Sequence, residues 1–214
     1  MIRILIVDDH DLFRAGVSSI LRGQEGMVVV GECADGEQAV RAVREGAPDL
    51  VLMDVNMPGI GGIEATRKIT QVAPQVKVIA VTVLSDDPFP NQVLDAGARG
   101  FISKGSGSEE MLEAIRMVMR GQYYISGDVA QKLSLANFRK RGETSPLGTL
   151  SAREMQVMMM ITRGQSTQAI SDVLFLSPKT VCTYRHRLFE KLDVSNDVEL
   201  THLAIRHGLL ENSQ

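Results

Sequence analysis

The sequence predicts two folds in one chain, an α/β domain built on a parallel sheet followed by an all-α domain. Five short runs rich in Val, Ile and Leu, at residues 2–7, 27–32, 49–53, 76–81 and 100–103, alternate with segments of helical period. Runs that are apolar throughout belong to strands covered on both faces, as in parallel sheets. Beyond a polar, Gly- and Pro-containing stretch at 134–149 the pattern is helical only.

The strands matter for the residues at their carboxyl ends. Right-handed crossovers place helices on both faces of such a sheet and gather those ends along one edge, where ligands bind. Onto that edge fall Asp8 and Asp9 after the first strand, Asp54 after the third, Thr82 after the fourth and Lys104 after the fifth. Each alone is an ordinary loop residue, and an Asp pair is usually a solvated turn or a helix cap. Together they are chemically complementary. Carboxylates with a carbonyl and waters suit Mg²⁺, and that charge lets a weak nucleophile such as Asp54 approach a phosphorus ringed by anionic oxygens. Lys104 would neutralise a second phosphoryl oxygen and the Thr82 hydroxyl would donate to a third.

Residues 127–133 read as a short helix extending the first domain, and 134–149 as a linker whose Arg139-Lys140-Arg141 run is solvated. The expected division is 1–122, 123–149 and 150–214. Ser151 and Glu154 have capping-box spacing, and Val157, Met158 and Ile161 continue at helical spacing. The Met158-Met159-Met160 run is packing rather than a sulfur-rich metal site. Gly164 closes this helix, 167–174 supplies a second, and Ser177 is placed to cap a third with Pro178 at its first position. Helix, tight turn and helix make a helix-turn-helix.

Along the third helix Val181, Leu188 and Leu192, with Tyr184 beside them, face inward, while Lys179, Cys182, Thr183, His186 and Glu190 share the opposite stripe. Cys182 and His186 have the spacing of a ligand pair, but no second pair completes a zinc site. A fourth helix is expected at 197–207. The formal net charge of −3 hides an asymmetry, because Lys179, Arg185, Arg187 and Lys191 meet only Glu190 within this one later segment. A local basic face is what neutralises phosphates, so the overall charge does not exclude nucleic acid. Cys33 and Cys182 give little support for a disulfide, which fits a reducing cytoplasm. No apolar run approaches the roughly 20 residues that cross a bilayer, so no membrane partner is expected.

These residues resemble the two-domain response regulators of the NarL/FixJ class. The receiver resemblance lies in Ile-Leu-Ile-Val-Asp-Asp-His, Val-Leu-Met-Asp-Val-Asn-Met-Pro-Gly, Val-Thr and Phe-Ile-Ser-Lys, and the LuxR-type output resemblance in Ser-Pro-Lys-Thr-Val. More narrowly, the text from Met53 to Lys68, Asp-Asp-Pro-Phe-Pro and Asp-Val-Glu-Leu-Thr-His-Leu-Ala-Ile-Arg-His-Gly are similar to the GacA/UvrY regulators. The resemblance implies a flavodoxin-like (βα)5 receiver and a four-helix DNA-binding domain. It implies that Asp54 is the phosphoacceptor and that Asp8, Asp9, Asp54 and the backbone carbonyl of Asn56 bind Mg²⁺. Phe101 matches the aromatic position that swings inward when Thr82 moves toward the phosphoryl group. Lys179, Cys182, Thr183 and His186 lie where base edges are approached, with Thr180, Arg185, Arg187 and Lys191 flanking them toward phosphates.

The implied partners are double-stranded promoter DNA, a hybrid sensor histidine kinase of the GacS/BarA type, and a second copy of the chain when phosphorylated. The implied output is activation of small regulatory RNA genes by a protein that is not an enzyme. Two positions depart from the pattern: Val83, where relatives carry a smaller residue, and Cys182, where many carry a more polar one. Two rivals share features of the fold. An FMN-binding flavodoxin needs a Ser/Thr/Gly-rich loop where Asp8-Asp9-His10-Asp11 stands. An aspartyl-phosphate hydrolase shares the carboxylate but has no need of a DNA-reading helix.

Overall fold

Alternate side chains along each strand build the first unit. A computed structural model describes residues 1–83, 89–131, 146–207 and 209. The chain forms two units, Met1–Ala136 and Asn137–Gln214. In the first, strands β1 (Ile2–Val7), β2 (Met27–Cys33), β3 (Leu50–Met53), β4 (Lys77–Thr82) and β5 (Gly100–Ser103) alternate with helices α1 (Asp11–Arg22), α2 (Gly36–Gly46), α3 (Gly61–Val72), α4 (Phe89–Asp95) and α5 (Ser108–Met119). A two-residue strand, β6 (Tyr124–Ile125), completes a parallel sheet of order β2-β1-β3-β4-β5-β6.

Ile4, Ile6, Leu50, Leu52, Ile79, Val81 and Ile102 pack under α1 and α5, against Val17, Leu21, Leu112, Ile115 and Val118. Their neighbours Leu5, Val7, Val51, Met53 and Val78 point the other way, onto Ala39, Val40 and Val43 of α2 and Ala65 and Ile69 of α3. Both faces are thus dry, which is why the strands carry no polar alternation.

The strand order reverses between β1 and β3, and Asp8 and Asp54 directly follow those two strands. Backbone bonds hold Asp8, Asp54, Thr82 and Lys104 in place. Asp54 donates to the Val7 carbonyl at 2.8 Å, Asp8 to Cys33 at 3.0 Å and Lys104 to Thr82 at 2.9 Å. Thr82, expected just past the fourth strand, is its last residue.

Residues 146–149, read as the end of the linker, form a 3-10 helix (Pro146–Thr149) whose Leu147 is fully buried. One apolar residue with no periodic companions gave too little signal. The remainder of the expected linker, 134–145, lies outside the described residues, as do 132 and 133; residues 127–131 are helical. Four helices follow: α6 (Ala152–Thr162), α7 (Thr167–Leu174), α8 (Pro178–Leu192) and α9 (Asp197–Arg206).

Each helix is started by a side-chain cap. Ser151 and Glu154 form the reciprocal capping box, and Ser166, Ser177 and Asn196 accept from Ala169, Thr180 and Glu199. The core joins Leu147, Met155, Met158, Met159, Ile170, Leu174, Val181, Leu188, Leu192, Leu200 and Ala204. The methionines are therefore packing residues. Both cysteines are free. Among the described residues no helix is long and apolar enough to cross a membrane.

Candidate functional site

Lys104 ties the two carboxylates of the switch point together. Its ammonium lies 2.7 Å from Asp8 Oδ2 and 2.9 Å from Asp54 Oδ2, with both acids almost wholly buried. The Asn56 amide donates to Asp54 Oδ1 at 3.2 Å, which orients the second oxygen. Phe13 lies under the ammonium, 4.7 Å from ring centre to Nζ, and Arg14 donates to the Asp8 carbonyl at 2.6 Å. Asp8, Asp9, His10 and Asp54 offer ligand atoms within 4.8 Å of one another.

One cation does not balance this cluster. Burial raises the Asp54 carboxyl above the ordinary aspartate range; the Lys104 hydrogen bond and charge pull it down, and Asp8 pushes it up again. For Lys104, burial lowers the ammonium, but the close contacts and charges of Asp54 and Asp8 more than reverse this, so it is held above the usual lysine range. Among the described residues Asp8 Oδ2 has no partner in good hydrogen-bond geometry, although the ammonium stands beside it as an ion pair. Buried anions in excess of their counter-charge, one with an unfilled lone pair, fit a further cation.

Other expected residues of this edge lie deeper or further out. Thr82 is fully buried at the end of β4, and Phe101 is fully buried within β5. Val83 is 66% exposed.

In the second unit α8 presents Lys179, Cys182, Thr183, His186 and Arg187 to solvent, with Thr180 half-buried. Two of the expected phosphate contacts are engaged within the unit. Arg185 holds Asp197 of α9 at 2.6 Å and lies over the Phe189 ring at 5.6 Å. Lys191 holds Glu154 of α6 at 2.7 Å and the Thr149 carbonyl at 3.2 Å. These cations lock the third helix to its neighbours.

The chain matches the model of the response regulator receiver domain over residues 4–116 and that of bacterial regulatory proteins, luxR family, over 148–204. It is 54% identical to response regulator GacA of Pseudomonas viridiflava over 213 residues, covering 100% of both chains. The chain belongs to the response regulators. Within the family it is also 53% identical to response regulator UvrY of Escherichia coli strain K12, over 98% of this chain and 96% of that one.

A solved LuxR-family response regulator from Aurantimonas superposes on 66% of the chain and 98% of its own, with a TM-score of 0.61 and 37% identity. RcsB of Salmonella enterica serovar Typhimurium, solved on promoter rprA with phosphomimetic BeF3−, shares the fold at 23% identity over 95% of this chain and 98% of that one, with a TM-score of 0.70. This response regulator is a phosphorylation-dependent transcription regulator of a two-component system, with a sensor kinase and promoter DNA as its classes of partner. The hydrolase reading is not favoured.

Two features of the regulator's edge were not read from the sequence as functional. His10 closes on the acidic pair, and Gly62 carries the loop after Asp54. A Cβ at Gly62 would overlap the Asp54 carbonyl oxygen, which is backbone and cannot swing aside. The Gly61-Gly62 pair was the available signal. Gly62→Ala is expected to destabilise the receiver by at least about 2 kcal/mol, as overpacking does, seen as a lower urea midpoint for its transition; an unchanged midpoint would mean that the loop relocates freely.

The Glu154–Lys191 bridge supplies a pH-dependent prediction for the output domain. Burial raises the Glu154 carboxyl, but the Lys191 hydrogen bond and charge and the two Ser151 bonds outweigh it and hold the group below the usual glutamate range. The bridge therefore stabilises the folded domain above that range, and its contribution is lost as pH falls through the folded value. The protection factors of the α6 amides should fall more steeply on acidification in the parent than in Glu154→Gln. Parallel pH profiles would contradict this.

Proposed function

We propose that Asp54 is the phosphoacceptor of this regulator and that a sensor kinase's phosphohistidine is its donor. The observation that carries the reading is the Lys104 ammonium held between buried Asp8 and Asp54 at the point where the strand order reverses. Asp8, Asp9, Asp54 and the Asn56 carbonyl would hold Mg²⁺, whose charge offsets that of an incoming phosphoryl group. Lys104 then neutralises one transferred oxygen and the Thr82 hydroxyl donates to another. Phe101 follows Thr82 in this response, and Val83, next in the chain after Thr82, slows access of water.

Moving a two-state switch from about 1:99 to 99:1 takes about 5.5 kcal/mol. Two or three charge-assisted hydrogen bonds, each worth about 1.5–3 kcal/mol, are of that order.

The output reading follows from the exposed stripe of α8. Lys179, Cys182, Thr183 and His186 read base edges, and Thr180 and Arg187 reach phosphates. Arg185 and Lys191 reach them only by leaving Asp197 and Glu154. The exposed Val198 on α9 suits a second copy of the chain, and paired half-sites favour a dimer. The division at residues 122 and 150, a hybrid kinase of the GacS/BarA type, small regulatory RNA genes as targets and a cytoplasmic location complete the reading. The protein works as a switch and not as a turnover catalyst.

A mobility shift on target promoter DNA tests the whole. Acetyl phosphate with Mg²⁺ should tighten binding. Multiple-turnover release of phosphate with DNA binding unaltered would instead identify an aspartyl-phosphate hydrolase.

A further inference from the structure

The acidic edge holds one residue that the proposed function leaves unused. His10 directly follows the Asp pair, and its Nδ1 lies 2.8 Å from Asp9 Oδ1 and 3.2 Å from Asp8 Oδ1. We propose that His10 is itself a ligand of the divalent cation at this site, through Nδ1, and that it shifts the site's preference from Mg²⁺ toward transition ions such as Mn²⁺. The inference rests on the reading of Asp8, Asp9 and Asp54 as cation ligands.

Three observations support it. In an octahedral shell with bonds of about 2.1 Å, adjacent donors stand about 3.0 Å apart and opposite donors about 4.2 Å. The two Nδ1 separations already have the adjacent spacing, and the four candidate donors lie within 4.8 Å of one another, close to the full span of a shell. The loop is also fixed for the purpose. The His10 amide donates to Asp8 Oδ1 at 2.9 Å, so the same carboxylate that would bind the ion sets the backbone from which the ring projects. Finally, the buried Asp8 Oδ2 has no well-formed hydrogen bond among the described residues, and the cluster carries more carboxylates than the Lys104 ammonium balances, so a cation has reason to bind here.

The chemical consequence follows from donor type. A shell of carboxylate, carbonyl and water oxygens suits Mg²⁺, whereas an imidazole nitrogen favours the first-row transition ions over it. The competing explanation is a plain hydrogen bond from the ring N–H to the carboxylates, which would hold the same distances without any ion.

Pulsed electron paramagnetic resonance on the full chain loaded with Mn²⁺ alone separates the two. The parent should show the modulation of a directly coordinated imidazole ¹⁴N, and His10→Gln should lack it. By calorimetry, His10→Gln should weaken Mn²⁺ about tenfold or more, the scale of losing a metal-site partner, while Mg²⁺ affinity changes by less than about threefold because an oxygen or water replaces the nitrogen. Mn²⁺ that binds the parent without nitrogen modulation, yet is lost in Asp8→Asn, would overturn the role of His10 and leave the cation reading standing. A parent that binds neither ion would overturn both.

Discussion

Asp54→Ala protein is expected to take up no phosphoryl group and to bind promoter DNA with one affinity whether or not acetyl phosphate is present, while its receiver unfolds at higher urea than the parent's. The two results have a common cause. Asp54 is buried beside Asp8, and its carboxyl is raised, chiefly by burial. A raised carboxyl means that folding disfavours the charged form, so stability is lost as pH rises from the ordinary aspartate range to the raised folded value and stays lost above it. Removing the group relieves that penalty at neutral pH, and Lys104 retains Asp8 as its partner at 2.7 Å. On the proposed reading the receiver exchanges stability for a reactive carboxylate. A urea midpoint below the parent's would show that Asp54 is structurally favourable in its charged form, and the excess-anion account of the site would fail.

Lys104→Ala should have the opposite effect on stability. Truncating one partner of a buried pair leaves its carboxylates uncompensated, at a cost of about 3–5 kcal/mol. Here two acids, Asp8 and Asp54, lose their common ammonium at once. The loss should be largest near neutral pH and shrink on acidification, as protons replace the missing charge. Saturating Mg²⁺ should restore part of it, since a ligand at about a hundred times its dissociation constant adds about 2.7 kcal/mol. Phosphorylated Lys104→Ala protein should also fail to tighten on DNA, because one of the groups proposed to sense the phosphoryl charge is gone. Urea titrations with and without Mg²⁺ read the first effect and mobility shifts the second. Equal stability of parent and variant in Mg²⁺-free buffer would contradict the structural role given to the ammonium.

Local chemistry was legible in the sequence. The five strands declared themselves because both faces of the sheet are covered, and the Ser151–Glu154 box and the Ser177 cap because capping depends on spacing along the chain. The acidic edge was legible for a related reason: in a parallel sheet, the position of a residue relative to its strand fixes the edge it joins. What escaped depended on approach between distant segments. β6 is two residues long and exists because β5 offers it a partner. Leu147 is apolar without a periodic companion, and only the packed domain gives it a place.

Arg185 and Lys191 stand where the resemblance implies phosphate contacts, and their ion pairs were not legible because helical spacing shows which face a cation occupies but not which carboxylate reaches it. Asp197 and Glu154 come from other helices. Gly62 and His10 owe their importance to distances of a few ångströms around Asp54 and Asp8, and the Gly61-Gly62 pair marked the place of one approach without its closeness.

Signalling by this regulator depends on one carboxyl group becoming an acyl phosphate. Incubation of the full chain with a phosphorylated sensor kinase and Mg²⁺, followed by peptide mapping in a mass spectrometer, reads it directly. The prediction is a single acid-labile phosphoryl group on the peptide containing Asp54, absent from Asp54→Ala. A phosphoryl group that persists on another residue in that variant, or none in the parent, would contradict it.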